Sequence, residues 1–282
     1  MEKYFITEKH TGLGSDIASV VGSWYYAKLT GRTLVIDWRP SLYLGAPEIN
    51  AFNVFFEPIE ELFDVRVICD QASNRFLSLG SSVIVEDKYD PVWIQLQRGE
   101  PLDQQVIVNR APSRLFPPLV WQYNILKCLI PTINIRQQIH RFQARYVSSL
   151  PRVGLHYRHG NGEDIDRCGG DVEYFTDKYV RAIDALGIKN RAVFLVCTDS
   201  IDVMDLFRKK LNSVIQFEKQ FKKPGAGPLH LSGDATAQTG YDAIAEMLLL
   251  ATCNVLLHNL GWFSYFARVM LEQNKRSIIT ID

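Results

Sequence analysis

Paired cysteines are the first thing this sequence lacks. Its five cysteines, Cys69, Cys128, Cys168, Cys197 and Cys253, are scattered and odd in number. None stands in a C-x-x-C pair or a Cys/His cluster of zinc-ligand spacing, which excludes a disulfide scaffold and a zinc motif and points to a reducing compartment. An excess of charge of either sign is missing too: 31 Lys and Arg balance 31 Asp and Glu. That leaves no nucleic-acid stripe and no polybasic membrane anchor. The longest apolar stretch, residues 243–257, carries Glu246 and Asn254. It is also shorter than the roughly 20 apolar residues that span a bilayer. The opening MEKYFITEKH has no apolar core of a secretory signal. We therefore expect a cytoplasmic protein with no transmembrane segment and no nucleic-acid partner. Also absent are internal repeats, low-complexity tracts and the Gly-Lys-Ser/Thr of a P-loop; EDID at 163–166 could pose as a DxD metal motif, but its carboxylates follow the phosphate-directed Arg158.

What remains is an ordinary globular composition, 47% apolar and 22% charged over 282 residues, enough for two domains or one large α/β unit. The chain opens as a βαβ unit. KYFIT reads as a strand, HTGLGSD breaks it, and Ile17, Val20, Val21, Trp24 and Ala27 recur at helical spacing up to Gly31. TLVID is the next strand. VRVICD and SSVIVED read as further strands, and PPLVWQYNILKCLIPT and INIRQQIHRFQARYVSSL as helices. Beyond Pro151 the alternation is regular: the strands RVGLHY, AVFLVCTD, SVIQFE, NVLLHN and SIITI are separated by helical segments. This predicts an α/β protein with parallel sheets covered by helices. The expected division is 1–148, an N-terminal Rossmann-like domain on the acceptor side, and 149–282, a C-terminal Rossmann-like domain that binds the donor. A cleft between them is expected, with ligands outside the carboxyl ends of the strands.

Three polar clusters fall at those strand ends. TGLGSD sets Gly12 and Gly14 between a strand and a helix start, where open N–H groups and the helix dipole attract phosphate. A tight turn capped by Ser15 or Asp16 is an equal reading. It is not a good dinucleotide fingerprint, since Ile17 stands where the third glycine belongs. Asp37 at the end of TLVID keeps an NAD-dependent oxidoreductase as the lesser alternative. HYRHGNGED carries more chemistry. Arg158 offers a planar cation for phosphate oxygens, and His156 shares its face on an extended strand. Gly160 and Gly162 permit a sharp turn, and Glu163 and Asp164 supply carboxylates able to take a proton. A solvated loop of surface ion pairs is the plain alternative. In FLVCTDS, Asp199 could accept from the N1–H and 2-amino group of guanine, or Asp199 or Ser200 could cap the next helix. The loop GAGPLHLSGD, with His230 inside it and Lys222 and Lys223 before it, is long enough to be functional. Together these features suit a nucleotide diphosphate-sugar and transfer of its sugar to a hydroxyl, with positive charge needed at the departing diphosphate.

HYRHGNGEDI also resembles the signature of the rhizobial nodulation fucosyltransferases, the NodZ family, and more distantly that of the eukaryotic core α1,6-fucosyltransferases. TGLGSDIASVVGSWYYAKLTGRTLVIDWRPSLYL, NAFNVFFEPIEEL, VICD, VFLVCTDS, AGPLH and FARVML resemble segments of that family in the same order. The likeness is strong over 10–70 and 150–270 and poor over 71–148. It implies a GT-B fold of two Rossmann-like domains with an interdomain cleft, and an inverting transferase that takes fucose from GDP-fucose to a glycan hydroxyl. It implies no metal and no cofactor beyond the donor substrate; a same-fold enzyme using another nucleotide-sugar is the alternative. Carried onto this chain, it gives Arg158 the β-phosphate, Asp199 the guanine, and His156 a place beside the nucleotide. Gly12 and Gly14 fall at the diphosphate, and His159, Asn161 and Ser200 join the donor contacts. Glu163 is implied as catalytic base beside Arg158. The chain departs from the pattern at Gly261, where the family carries a serine; Ser264 is the candidate replacement. The resemblance names no acceptor.

Overall fold

Runs that alternate between buried apolar and amphipathic fold into two parallel sheets, one in each half of the chain. The structure is a computed structural model that describes residues 1–8, 12–111, 114–158, 171–221, 235–259 and 261–281. The chain divides into two units, Met1–Thr132 and Ile133–Asp282.

The first unit runs β1 (Tyr4–Glu8), α1 (Leu13–Thr30), β2 (Thr33–Asp37), α2 (Ala51–Phe55), β3 (Glu61–Leu62), β4 (Val65–Ile68), α3 (Asn74–Leu77), β5 (Ser82–Val85), α4 (Pro91–Gln97), β6 (Val106–Asn109) and α5 (Leu119–Cys128). Its sheet order is β3-β4-β2-β1-β6-β5, parallel except for the short edge strand β3. All of β2 and β6 is buried, which is what central parallel strands with both faces covered require. Helix α1 stops where Gly31 turns left-handed at φ 64 and its N–H donates to Ala27 O. On α1, Trp24 is buried and its Nε1–H donates to Leu62 O at 2.8 Å. Asn50 ties β2 to β4: its amide donates to Ile36 O and Cys69 O while its Oδ1 caps α2 at Phe52 N.

The second unit runs α6 (Ile133–Arg145), β7 (Arg152–Tyr157), α7 (Val172–Ala185), β8 (Val193–Thr198), α8 (Ile201–Lys210), β9 (Val214–Ile215), α9 (Ala237–Ala251), β10 (Val255–His258), α10 (Tyr265–Gln273) and β11 (Ser277–Thr280). Its order, β11-β10-β7-β8-β9, is wholly parallel. Numbered within the unit this is 5-4-1-2-3, the Rossmann order, whose reversal point lies between β7 and β10. Tyr157, Tyr179, Phe194, Phe207 and Ile183 fill the core on one face. Gly154 lets β7 run close beneath α9, since a Cβ there would meet Leu250 Cδ2 at 2.8 Å.

Three readings change. The units divide at 132/133 and not at 148, because α6 packs against α9 and its Phe142 ring lies 5.8 Å from that of Phe217. The strand β6, unforeseen in the sequence, lies beside β1 at the centre of the first sheet. The expected strand SVIQFE shortens to two residues.

Candidate active site

The reversal point of the second sheet is built by two strand ends. His156 stands beside His258 in the β7–β10 register and beside Cys197 in the β7–β8 register. Just beyond β7, the Asn259 side chain grips the backbone of Arg158. Arg158 N–H donates to Asn259 Oδ1 at 3.0 Å, and Asn259 Nδ2 donates to Arg158 O at 3.1 Å. That pair of bonds prolongs the sheet by one residue and fixes where the Arg158 side chain leaves it. Gly261 lies against that side chain: a Cβ on it would sit 3.7 Å from Arg158 Cδ and Nη1 and 3.9 Å from His156 Cε1.

His156 is buried. Its ring stacks on Phe263 at 4.8 Å, and its carbonyl accepts from Tyr179 Oη at 2.7 Å. Burial, reinforced by the positive groups of His258, Arg158, Lys219 and Arg268, holds its pKa well below the usual imidazole range. It is therefore a neutral ring at physiological pH, and its Nδ1 has no hydrogen-bond partner within the described residues. A buried nitrogen without a partner costs about 1–3 kcal/mol, which a ligand donor or acceptor would recover.

A family model for nodulation protein Z (NodZ) matches residues 1–116 and 121–278. The chain belongs to the NodZ family. It is 32% identical to nodulation protein Z of Bradyrhizobium diazoefficiens, over 91% of this chain and 75% of that one. The crystal structure of fucosyltransferase NodZ from Bradyrhizobium superposes with a TM-score of 0.76 at 26% identity, covering 95% of this chain and 93% of that one. The crystal of NodZ α-1,6-fucosyltransferase soaked with GDP-fucose gives 0.73 at 25% identity, with 96% and 93% covered. The fold class is thus GT-B, two Rossmann-like units in one chain.

Of the residues singled out in the sequence, His156, Arg158, Asp199 and Ser200 fall at neighbouring strand ends. His156 lies in β7 and Arg158 one residue past it, and Asp199 and Ser200 follow the neighbouring β8. The cap of α8 is Ser200, whose side chain accepts from Val203 N, and not Asp199. Gly12 and Gly14 belong to the first unit, at the head of α1. Gly12 is extended, no side chain caps the helix, and Ser15 N and Asp16 N donate to Gly12 O. Ser264, fully buried, has its hydroxyl 3.3 Å from His258 Nδ1 and donates to Gly261 O at 3.2 Å. It braces the turn before α10. His159, Asn161, Glu163, Lys222, Lys223 and His230 lie outside the described residues.

Asp37 is spoken for: Oδ1 accepts from Arg39 Nε at 2.6 Å and Oδ2 from Ser73 N at 2.7 Å. A ribose-binding acid needs those oxygens, so the oxidoreductase alternative loses its second feature.

Sequence reasoning missed Asn259, Phe263 and a buried ion pair. Lys219 Nζ lies 2.6 Å from Glu246 Oε2, with 11% and 3% of the side chains exposed. Burial pulls Lys219 down, but Glu246 and the nearby Cys197 and Asp199 outweigh it and hold the ammonium above its usual pKa. Burial raises the Glu246 carboxyl against the pull of Lys219. Asp242, one turn earlier on α9, is raised by burial and takes a hydrogen bond from Gln238. A signal was available: a glutamate inside an apolar helix must be paired. Among the described residues no group of His, Cys, Asp and Glu is arranged to hold a metal ion, and no helix is long and apolar enough to cross a membrane.

Proposed function

We propose that this protein moves fucose from GDP-fucose to a hydroxyl of a glycan, with inversion at the sugar and without a metal. The enzyme class and the donor follow from membership of the NodZ family and the crystal of a relative soaked with GDP-fucose. The observation that carries the reading to these residues is the Arg158 backbone held by Asn259 at the sheet's reversal point, where this fold places its ligand.

In this mechanism the acceptor oxygen attacks the anomeric carbon from the face opposite GDP. The bond from that carbon to the β-phosphate oxygen breaks, and GDP departs with the electron pair. The guanidinium of Arg158 neutralises the charge that grows on the β-phosphate, the role for which its planar fork is suited. Glu163 takes the proton of the attacking hydroxyl. Asp199 accepts from the guanine N1–H and 2-amino group, neutral His156 lies beside the nucleotide, and His159, Asn161 and Ser200 complete the donor contacts. Gly12 and Gly14 bring backbone N–H groups to the diphosphate. The first unit, Met1–Thr132, takes the acceptor and the second, Ile133–Asp282, the donor. The proposed place of action is the cytoplasm, in keeping with Cys69, Cys128, Cys197 and Cys253, all of which are free.

The test is a donor screen with mass spectrometry of products on a panel of glycans, run with and without EDTA. GDP-fucose should be consumed, with inverted product and no loss in EDTA. Use of a UDP-sugar in its place would remove the guanine assignment, and activity lost in EDTA and restored by Mn²⁺ would remove the metal-free step.

A further inference from the structure

The first sheet has a reversal point of its own, between β1 and β6, since β2 and β4 lie on one side of β1 and β6 and β5 on the other. Its carboxyl edge carries Glu8, Glu86 and Arg110, from the ends of three adjacent strands. Arg110 N–H donates to Val85 O, which extends the β5–β6 ladder. Asn109 closes a turn on Ala111 just beside it. The Arg110 guanidinium then bridges Glu8 Oε2 at 2.7 Å and Glu86 Oε1 at 2.6 Å. Glu8 is nearly enclosed, with 13% of its side chain exposed, while 62% of Glu86 is open to solvent.

The chain leaving β5 at Glu86 presents two aromatics. Tyr89 is 78% exposed. Trp93, in the first turn of α4, is half-buried, with Arg114 5.9 Å from its ring centre. Asp87 and Asp90 fix this turn by accepting from Tyr89 N and Val92 N. Two carboxylates around one arginine carry a net negative charge, so this trio of side chains is not itself a phosphate site. It does match a neutral saccharide. A pyranose has an apolar C–H face that stacks on an aromatic ring, and its rim of hydroxyls donates to carboxylates and accepts from a guanidinium.

We propose that Glu8, Glu86 and Arg110, with Tyr89 and Trp93 on the segment that follows Glu86, bind the acceptor as a neutral oligosaccharide. This rests on the transferase reading, which needs a glycan site. It assigns that site to the end of β1 and to residues 86–110 of the first unit.

The test uses saturation-transfer NMR on the full chain with chitotetraose, cellotetraose, maltotetraose and, as the anionic probe, tetragalacturonate. At least one neutral tetrasaccharide should bind. Its affinity should fall roughly tenfold, about 1.4 kcal/mol, in Tyr89→Ala and in Trp93→Ala, and recover in Tyr89→Phe. Absence of binding by all three neutral sugars would overturn the inference, as would unchanged affinity in the Tyr89→Ala/Trp93→Ala variant or preference for tetragalacturonate. Failure of the transferase reading is seen separately: a protein that binds the sugar through Tyr89 and Trp93 yet releases no GDP from GDP-fucose keeps this surface and loses that reading.

Discussion

Both units place an arginine at the reversal point of a parallel sheet, and the two arginines are held in opposite ways. In the first, the Arg110 side chain is clamped between Glu8 and Glu86. In the second, Asn259 grips the Arg158 backbone, and the side chain lies against a glycine among imidazoles and amides. The frame is nearly the same and the strand-end residues differ. Chemistry on such folds is thus decided by the few residues past each strand and not by the sheet. On the proposed function, the first edge offers carboxylates to hydroxyls and the second an arginine to the diphosphate.

The largest effect should come from removing the second arginine. Arg158→Ala should lower kcat/KM for GDP-fucose about a thousandfold or more, near 4 kcal/mol, the order lost with an electrostatic stabiliser of a departing charge. Arg110→Ala should act mainly on acceptor KM. Steady-state kinetics on both substrates would separate them. If the two variants lost donor turnover equally, the contrast between the edges would be broken.

The ion pairs differ in the same sense. Lys219–Glu246 is buried and Arg110–Glu86 is largely open. Lys219→Met alone strands a buried carboxylate and should cost about 3–5 kcal/mol in urea unfolding, and Lys219→Met/Glu246→Leu should recover much of that. Glu86→Gln should stay within about 1 kcal/mol, since solvent screens an exposed pair. A Lys219→Met variant as stable as the parent would show that Glu246 is protonated in the fold.

Most of this was legible in the sequence where the signal is local. The strand exits at His156–Arg158 and Thr198–Ser200, the helix ending at Gly31 and the alternation after Pro151 all follow from period and punctuation. Three things were not legible. The strand β6 is three apolar residues and an asparagine, and periodicity cannot tell so short a piece from buried helix or loop. The grip of Asn259 on Arg158 spans 101 positions, and no local pattern records it. The unit boundary lies at 132/133 because the packing of α6 on α9 decides which unit owns that helix, whereas in the chain the polar, proline-ended stretch after α6 is the more visible break.

The smallest effect tests how much room the second edge keeps. Two glycines of that unit differ in what a side chain would meet. At Gly154 a Cβ would lie 2.8 Å from Leu250 Cδ2 and 3.1 Å from Cys253 Sγ, so Gly154→Ala should overpack the β7–α9 contact and cost about 1–3 kcal/mol. At Gly261 the nearest atoms are Arg158 Cδ and Nη1 at 3.7 Å, an ordinary contact. Gly261→Ser, the residue expected there from the family resemblance, should therefore leave stability within about 0.5 kcal/mol. Its hydroxyl would stand beside the guanidinium, where it could donate to the β-phosphate that Arg158 neutralises. Donor KM should thus stay level or fall, with kcat little changed. A loss of kcat/KM approaching that of Arg158→Ala, with stability intact, would mean that the donor already fills the gap over Gly261, and the phosphate would then lie closer to the His258–Asn259 strand end than to Arg158.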